Sequence, residues 1–120
     1  MKCLQEFTDA VKRSAKSMPT QEMDGPTLNV LHWCMGITGE AGELVDPIKK
    51  HIFYGKELDM ANVQEELGDL LYYVFALIDE LGLDADYVMS DVIYKLRLRY
   101  PDGYSDQHAK ERLDKEMVGC

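Results

Sequence analysis

A chain of 120 residues with 46% hydrophobic side chains has the size and composition of one globular domain and is neither a disordered nor a fibrous sequence. Its formal charge of −9, from 22 acidic against 13 basic side chains, excludes polymeric nucleic acid as an expected partner, because duplex binding rests on Lys and Arg neutralising phosphates. No apolar run is long enough for a membrane span, Met1 to Ala10 lacks the apolar stretch of a leader, and the scattered Cys3, Cys34 and Cys120 form no metal or disulfide pattern; a reducing cytoplasm and no membrane partner are expected.

In chain order, Leu4, Phe7, Val11, Ala15 and Met18 recur at spacings of three and four, which predicts a first helix closing before Pro19. After a polar Gly-Pro connector, Pro26 suits the first turn of a long second helix, with Asp24 or Gly25 as its cap and Gly55 as its stop. Pro47 interrupts it. Without an N–H for the carbonyl of Glu43, this residue predicts either a kink or a division into two shorter helices. Asp59 caps a third helix that ends near Gly82, and Asp84 caps a fourth through Tyr87, Val88, Val92 and Leu96 towards Tyr100. Pro101-Asp102-Gly103 makes a turn, after which Ser105 caps a short final helix carrying the Glu111/Lys115 pair. No strand pattern appears. The expected fold is an all-α bundle of four main helices plus a short C-terminal helix, with the strongly apolar stretch from Glu66 to Gly82 at its centre.

The second and third helices carry the chemistry. Glu40-Ala-Gly-Glu43 and Glu66-Leu-Gly-Asp69 each hold two carboxylates three residues apart, and such residues lie about 5–6 Å apart on one helix face. On the third helix Val63, Leu67, Leu70, Leu71, Val74, Leu77 and Ile78 share the core side, with Asn62, Glu66, Asp69 and Tyr73 on an arc of roughly 60° at its edge, and Glu65 further out. On the second, Val30, Ile37, Ala41, Leu44 and Ile48 form the core side, flanked by Asn29, His32, Gly36, Glu40, Glu43, Lys50 and Tyr54. If the two helices pack antiparallel, four carboxylates converge, and they repel one another unless protonated or bridged by a cation. An all-carboxylate donor set suits magnesium, with manganese as a substitute, and such an ion keeps positions that substrate phosphates can fill. The alternative for either pair alone is a solvated face of an acidic helix. Gly36, Gly39 and Gly42, each costing about 0.5–1 kcal/mol against alanine inside a helix, imply a need for space, either for close helix packing or for a nucleotide beside Glu40.

The segments Gly36-Ile-Thr-Gly-Glu-Ala-Gly-Glu-Leu, Glu65-Glu-Leu-Gly-Asp-Leu-Leu-Tyr-Tyr and Lys95-Leu-Arg-Leu-Arg-Tyr-Pro-Asp-Gly-Tyr resemble the MazG-like all-α nucleotide pyrophosphohydrolases, over roughly Asn29 to Tyr104. The resemblance implies cleavage of a nucleoside triphosphate between its α and β phosphates, with Glu40, Glu43, Glu66 and Asp69 holding magnesium as the catalytic set. It also implies a homodimer, or a homotetramer built as a dimer of dimers, in which helices of two subunits complete each site. An unusually apolar central helix in so short a chain agrees with that. One position departs from the family pattern: Val92 stands where Asn usually precedes the Lys-Leu element, so no particular member's base or sugar preference is carried over.

Around this centre, Lys49, Lys50, Lys56, Lys95, Arg97 and Arg99 are candidates for the outer phosphates; Lys50 is favoured by its place on the acidic arc, and Lys95 and Arg99, one turn apart on one face, by the pattern of the family that the chain resembles. Asp91 four residues before Lys95 offers a plain surface ion pair instead. For the base, Asn29, His32, Trp33, Tyr54 and Tyr73 supply stacking faces and polar edges, while Trp33 also suits simple packing and His32 simple solvation. A ferritin-like di-iron bundle is set aside because no His follows an acidic residue at the required spacing. A non-catalytic helical module that binds nucleotide as a regulator stays open.

Overall fold

The computed structural model of the chain describes residues 2–17 and 22–116. Among them are six helices and no strands: α1 Lys2–Ser14, α2 Gly25–Tyr54, α3 Met60–Glu80, α4 Ala85–Arg99, α5 Asp106–Glu111 and α6 Leu113–Glu116. The all-α expectation holds. The starts of α2, α3, α4 and α5 are each closed by an acceptor that the sequence marks. Asp24 Oδ1 accepts from Thr27 N at 2.8 Å, Asp59 Oδ1 from Asn62 N at 3.0 Å, Asp84 Oδ1 from Asp86 N at 2.9 Å, and Ser105 Oγ from His108 N at 3.0 Å. Gly55, with φ 64°, ends α2 in the left-handed conformation and returns its N–H to the carbonyl of Lys50.

Two boundaries differ from the expectation, and one open alternative closes. α1 stops at Ser14, short of Ala15, while Met18 and Pro19 lie outside the described residues. α2 runs unbroken through Pro47, so it does not divide; Pro47 is the one residue of α2 that is buried. The C-terminal segment is two short helices rather than one, because Arg112 takes φ 54°, ψ 48° and gives its N–H to the carbonyl of His108. Glu111 and Lys115 therefore fall on separate helices and lose the expected one-turn pairing.

α2 and α3 pack as an antiparallel hairpin, and α5 and α6 fold back on α4. Within the hairpin, Val30, Ile37, Leu44 and Ile48 face Val63, Leu70, Val74, Leu77 and Ile78, all of them half-buried. No apolar side chain among the described residues is fully buried, and large ones stand in solvent, among them Phe53 at 76% and Tyr87 at 74% exposure. The radius of gyration is 20.7 Å, against about 14 Å for a compact domain of this length. Among the described residues the hairpin is thus the one extensive packed unit, and it carries the acidic pairs.

Candidate metal centre and nucleotide site

The antiparallel register sets Glu40 and Glu43 of α2 opposite Glu66 of α3. One carboxylate oxygen from each of these three lies within 4.8 Å of the other two. Glu66 is 9% exposed, Glu40 half-buried and Glu43 exposed. Asp69, one turn beyond Glu66, is exposed and is not among the three oxygens that converge. Burial pushes the Glu66 carboxyl up to about 7; its hydrogen bond with Glu40 and the negative charges of Glu43, Glu40 and Glu65 act in the same direction. No Lys, Arg or His forms an ion pair with the three among the described residues. A buried carboxylate such as Glu66, with only carboxylates for company, is satisfied by a proton or by a cation. Three hard oxygen donors at this spacing fit magnesium or manganese.

Towards the start of α2 the hairpin gathers aromatic rings. His32 and Trp33 stack with centroids 4.7 Å apart and planes 19° from parallel. Tyr73 of α3 lies 6.2 Å from each of them, and Tyr72 stands edge-on to Trp33 at 6.5 Å and to Tyr73 at 5.2 Å. His32, Trp33 and Tyr73 are thus brought together, His32 and Tyr73 from the flanking arcs and Trp33 from nearer the core side. Tyr72 was missed, although the doublet Tyr72-Tyr73 at the edge of an apolar face was its signal.

The other candidates are scattered. Asn29 and Tyr54 are exposed near opposite ends of α2, roughly 37 Å apart at 1.5 Å per residue, so one nucleotide does not touch both within one chain. Lys49 Nζ sits 5.9 Å from the Tyr54 ring centre. Lys50 is paired with Asp46 at 2.6 Å on the wall of a cleft of about 290 Å³ that also includes Lys56 and Asn62. Lys95 is 3.9 Å from Asp91, the surface pair that the spacing allowed, and lines a cleft of about 220 Å³ with Arg99, Arg112 and Lys115. Arg99 is committed elsewhere. Its Nε and one terminal nitrogen donate to the two oxygens of Asp114 at 2.7 and 2.9 Å, and Asp114 is 1% exposed. No motif points to this, since Asp114 lies beyond every one of them; Arg99 ties α4 to α6. Arg99 holds the Asp114 carboxyl down at about 2, against the opposing effect of burial.

Of the three glycines, Gly36 alone meets a neighbour on α3: a Cβ there would strike the Tyr73 ring, whereas one at Gly39 or Gly42 would meet nothing within 4 Å. Among the described residues no helix is long and apolar enough to cross a membrane. No curated protein and no solved structure matches the chain. Residues 29–104 match the family model of the MazG nucleotide pyrophosphohydrolase domain, a span that contains the Glu40, Glu43 and Glu66 cluster, the four aromatic rings and Lys95. The chain belongs to the MazG nucleotide pyrophosphohydrolase family.

Proposed function

We propose that the protein is a magnesium-dependent nucleoside triphosphate pyrophosphohydrolase that cleaves the bond between the α and β phosphates, releasing nucleoside monophosphate and pyrophosphate. The observation that carries this reading is the convergence of Glu40, Glu43 and Glu66, with Glu66 nearly buried and no basic partner among the described residues. Glu40, Glu43 and Glu66 would hold the cation, and Asp69, exposed one turn along α3, would offer a further carboxylate. The bound ion supplies charge neutralisation for the departing pyrophosphate and eases deprotonation of the attacking water. The water oxygen attacks the α phosphorus as the bridging oxygen leaves with pyrophosphate, and Glu40 or Glu43 takes up the water proton. No covalent nucleophile enters.

The stacked His32 and Trp33, with Tyr73 across the hairpin, receive the base, and Asn29 lies one turn beyond them. Lys50 and Lys95 serve the outer phosphates once released from Asp46 and Asp91. Arg99 is left out of that set because Asp114 fills its fork, and Tyr54 is left out because it is remote from the rings. The apolar surface left exposed on α2, α3 and α4 supports a homodimer or homotetramer, in which α4 of one copy brings Lys95 to the hairpin of another. We read residues 1–120 as one such domain, acting in a reducing cytoplasm, where the free Cys3 and Cys34 are at home, on a nucleotide pool in which deoxynucleotides are the first substrates to try.

The test is pyrophosphate release from a panel of ribo- and deoxynucleoside triphosphates with magnesium, with manganese and with chelator. Metal-dependent release that falls at least about 100-fold in Glu43→Ala supports the reaction and identifies the base. Nucleotide binding without release across the panel would replace the enzyme with a regulatory nucleotide-binding module.

A further inference from the structure

The contact between Gly36 and Tyr73 lies between the ring cluster and the carboxylates, and the reaction as read above leaves it without a role. A Cβ built on Gly36 sits 2.5 Å from Cε1 and from Cγ of Tyr73 and closer still to Cδ1. Carbon atoms in contact rest at about 3.5–4.0 Å, so even one methyl group does not fit. The Tyr73 ring is also hemmed in, with His32, Trp33 and Tyr72 centroids at 6.2, 6.2 and 5.2 Å. A clash at Gly36 is therefore relieved by α2 and α3 moving apart more readily than by the ring swinging away. Gly36 stands one helical turn before Glu40, and Tyr73 one turn after Asp69 and two after Glu66. Any widening at this contact passes directly to the cluster, where the three oxygens lie within 4.8 Å of one another.

We propose that Gly36 and Tyr73 form a spacer that fixes the separation of α2 and α3, and that this separation holds Glu40, Glu43 and Glu66 at the distance a divalent cation requires. The proposal rests on the metal-centre reading above; it adds Gly36 as a positioning residue and gives Tyr73, already part of the base stack, a positioning role as well, and neither touches the ion. Metal coordination tolerates only about 0.2 Å in its distances, so a small retreat of one helix removes a ligand. The functional need for small size is confined to Gly36, because Gly39, one turn away on the same helix, has open space where its Cβ would be.

The experiment is Mn²⁺ binding to the nucleotide-free protein, followed by electron paramagnetic resonance. Emission of Trp33, the single tryptophan, is recorded without metal and helicity is followed by circular dichroism. Gly36→Ala is expected to weaken Mn²⁺ binding by about ten- to a hundredfold, the size typical of supporting residues around a metal, and to shift Trp33 emission while helicity is kept. Gly36→Ser should weaken it further. Gly39→Ala should bind as wild type. In a Tyr73→Ala background, Gly36→Ala should add less than about twofold, since the ring it would strike is gone. Should Tyr73→Ala fail to fold, the graded Ala and Ser series against Gly39→Ala decides the matter alone. Wild-type affinity in Gly36→Ala, an equal loss in Gly39→Ala, or an undiminished Gly36→Ala penalty without the ring would each overturn the spacer and leave the proposed function standing. Absence of Mn²⁺ binding in the wild type would overturn the metal centre itself, and the positioning role with it, even if Trp33 emission still shifts.

Discussion

Two nearly buried carboxylates, Glu66 on the hairpin and Asp114 on α6, have been given opposite surroundings. Asp114 accepts a two-pronged guanidinium from Arg99, with Arg112 Nε 3.6 Å away, and its carboxyl is held down at about 2. Glu66 has Glu40 and Glu43 as its charged neighbours and is pushed up to about 7. A carboxylate whose counter-charge is covalently part of the chain is a structural tie. One with no basic partner among the described residues needs a proton or a cation to offset its burial, which makes it the candidate binding site.

The largest expected effect separates the two by function. Glu66→Gln should lower pyrophosphate release by at least about 100-fold while leaving the helical fold intact, and its metal-free melting temperature at pH 8 should equal or exceed that of wild type, since the amide cannot ionise against Glu40 and Glu43. Asp114→Asn should do the reverse: a clear fall in melting temperature, with turnover per folded molecule changed by less than about tenfold. Equal damage to activity from both substitutions would erase the distinction.

Acidity sharpens it further, because the two groups pull stability in opposite directions. Glu66 binds its proton more tightly folded than unfolded, so its contribution falls as pH rises from about 4.5 to about 7 in the metal-free protein. Asp114 binds its proton less tightly folded, so its contribution is full above about 3.8 and is lost as pH falls towards about 2. Melting curves with chelator should therefore show Glu66→Gln removing a loss above pH 5, and Asp114→Asn removing a loss below pH 4. In the same way, Mn²⁺ must displace the proton of Glu66, and its affinity should drop by up to about tenfold per pH unit below 7, a slope that Glu66→Gln abolishes. The smallest effects belong to the lysines. Lys50→Met and Lys95→Met should each raise KM by only about two- to tenfold, since both are half-exposed and exchange one carboxylate partner for a phosphate.

The helix starts were legible because Asp24, Asp59, Asp84 and Ser105 carry acceptors that act within their own first turn. The meeting of Glu40, Glu43 and Glu66 was legible for a similar reason: two helices joined by a short loop return antiparallel, and helical periodicity then fixes which side chains share the seam. Less came through where distant segments meet. Asp69 shares the periodic arc of Glu66, yet an arc describes a direction and not a distance, and its carboxylate stays outside the converging three. Arg99 lay on a promising face, but a bidentate partner fifteen residues later claimed it. Arg112 broke a helix that no Gly or Pro marked, because a side chain tethered beside Asp114 offsets the cost of a left-handed backbone.

By itself the sequence determined that this protein is helical, where four of its helices begin, and that the acidic pairs of α2 and α3 share one seam, since capping and periodicity act over a few residues of one chain. Only the tertiary structure decided which carboxylates come within reach of a single ion, which cation is already spent on Asp114, and why Gly36 is a glycine. Those outcomes depend on distances between segments far apart in the chain, and no local pattern encodes them.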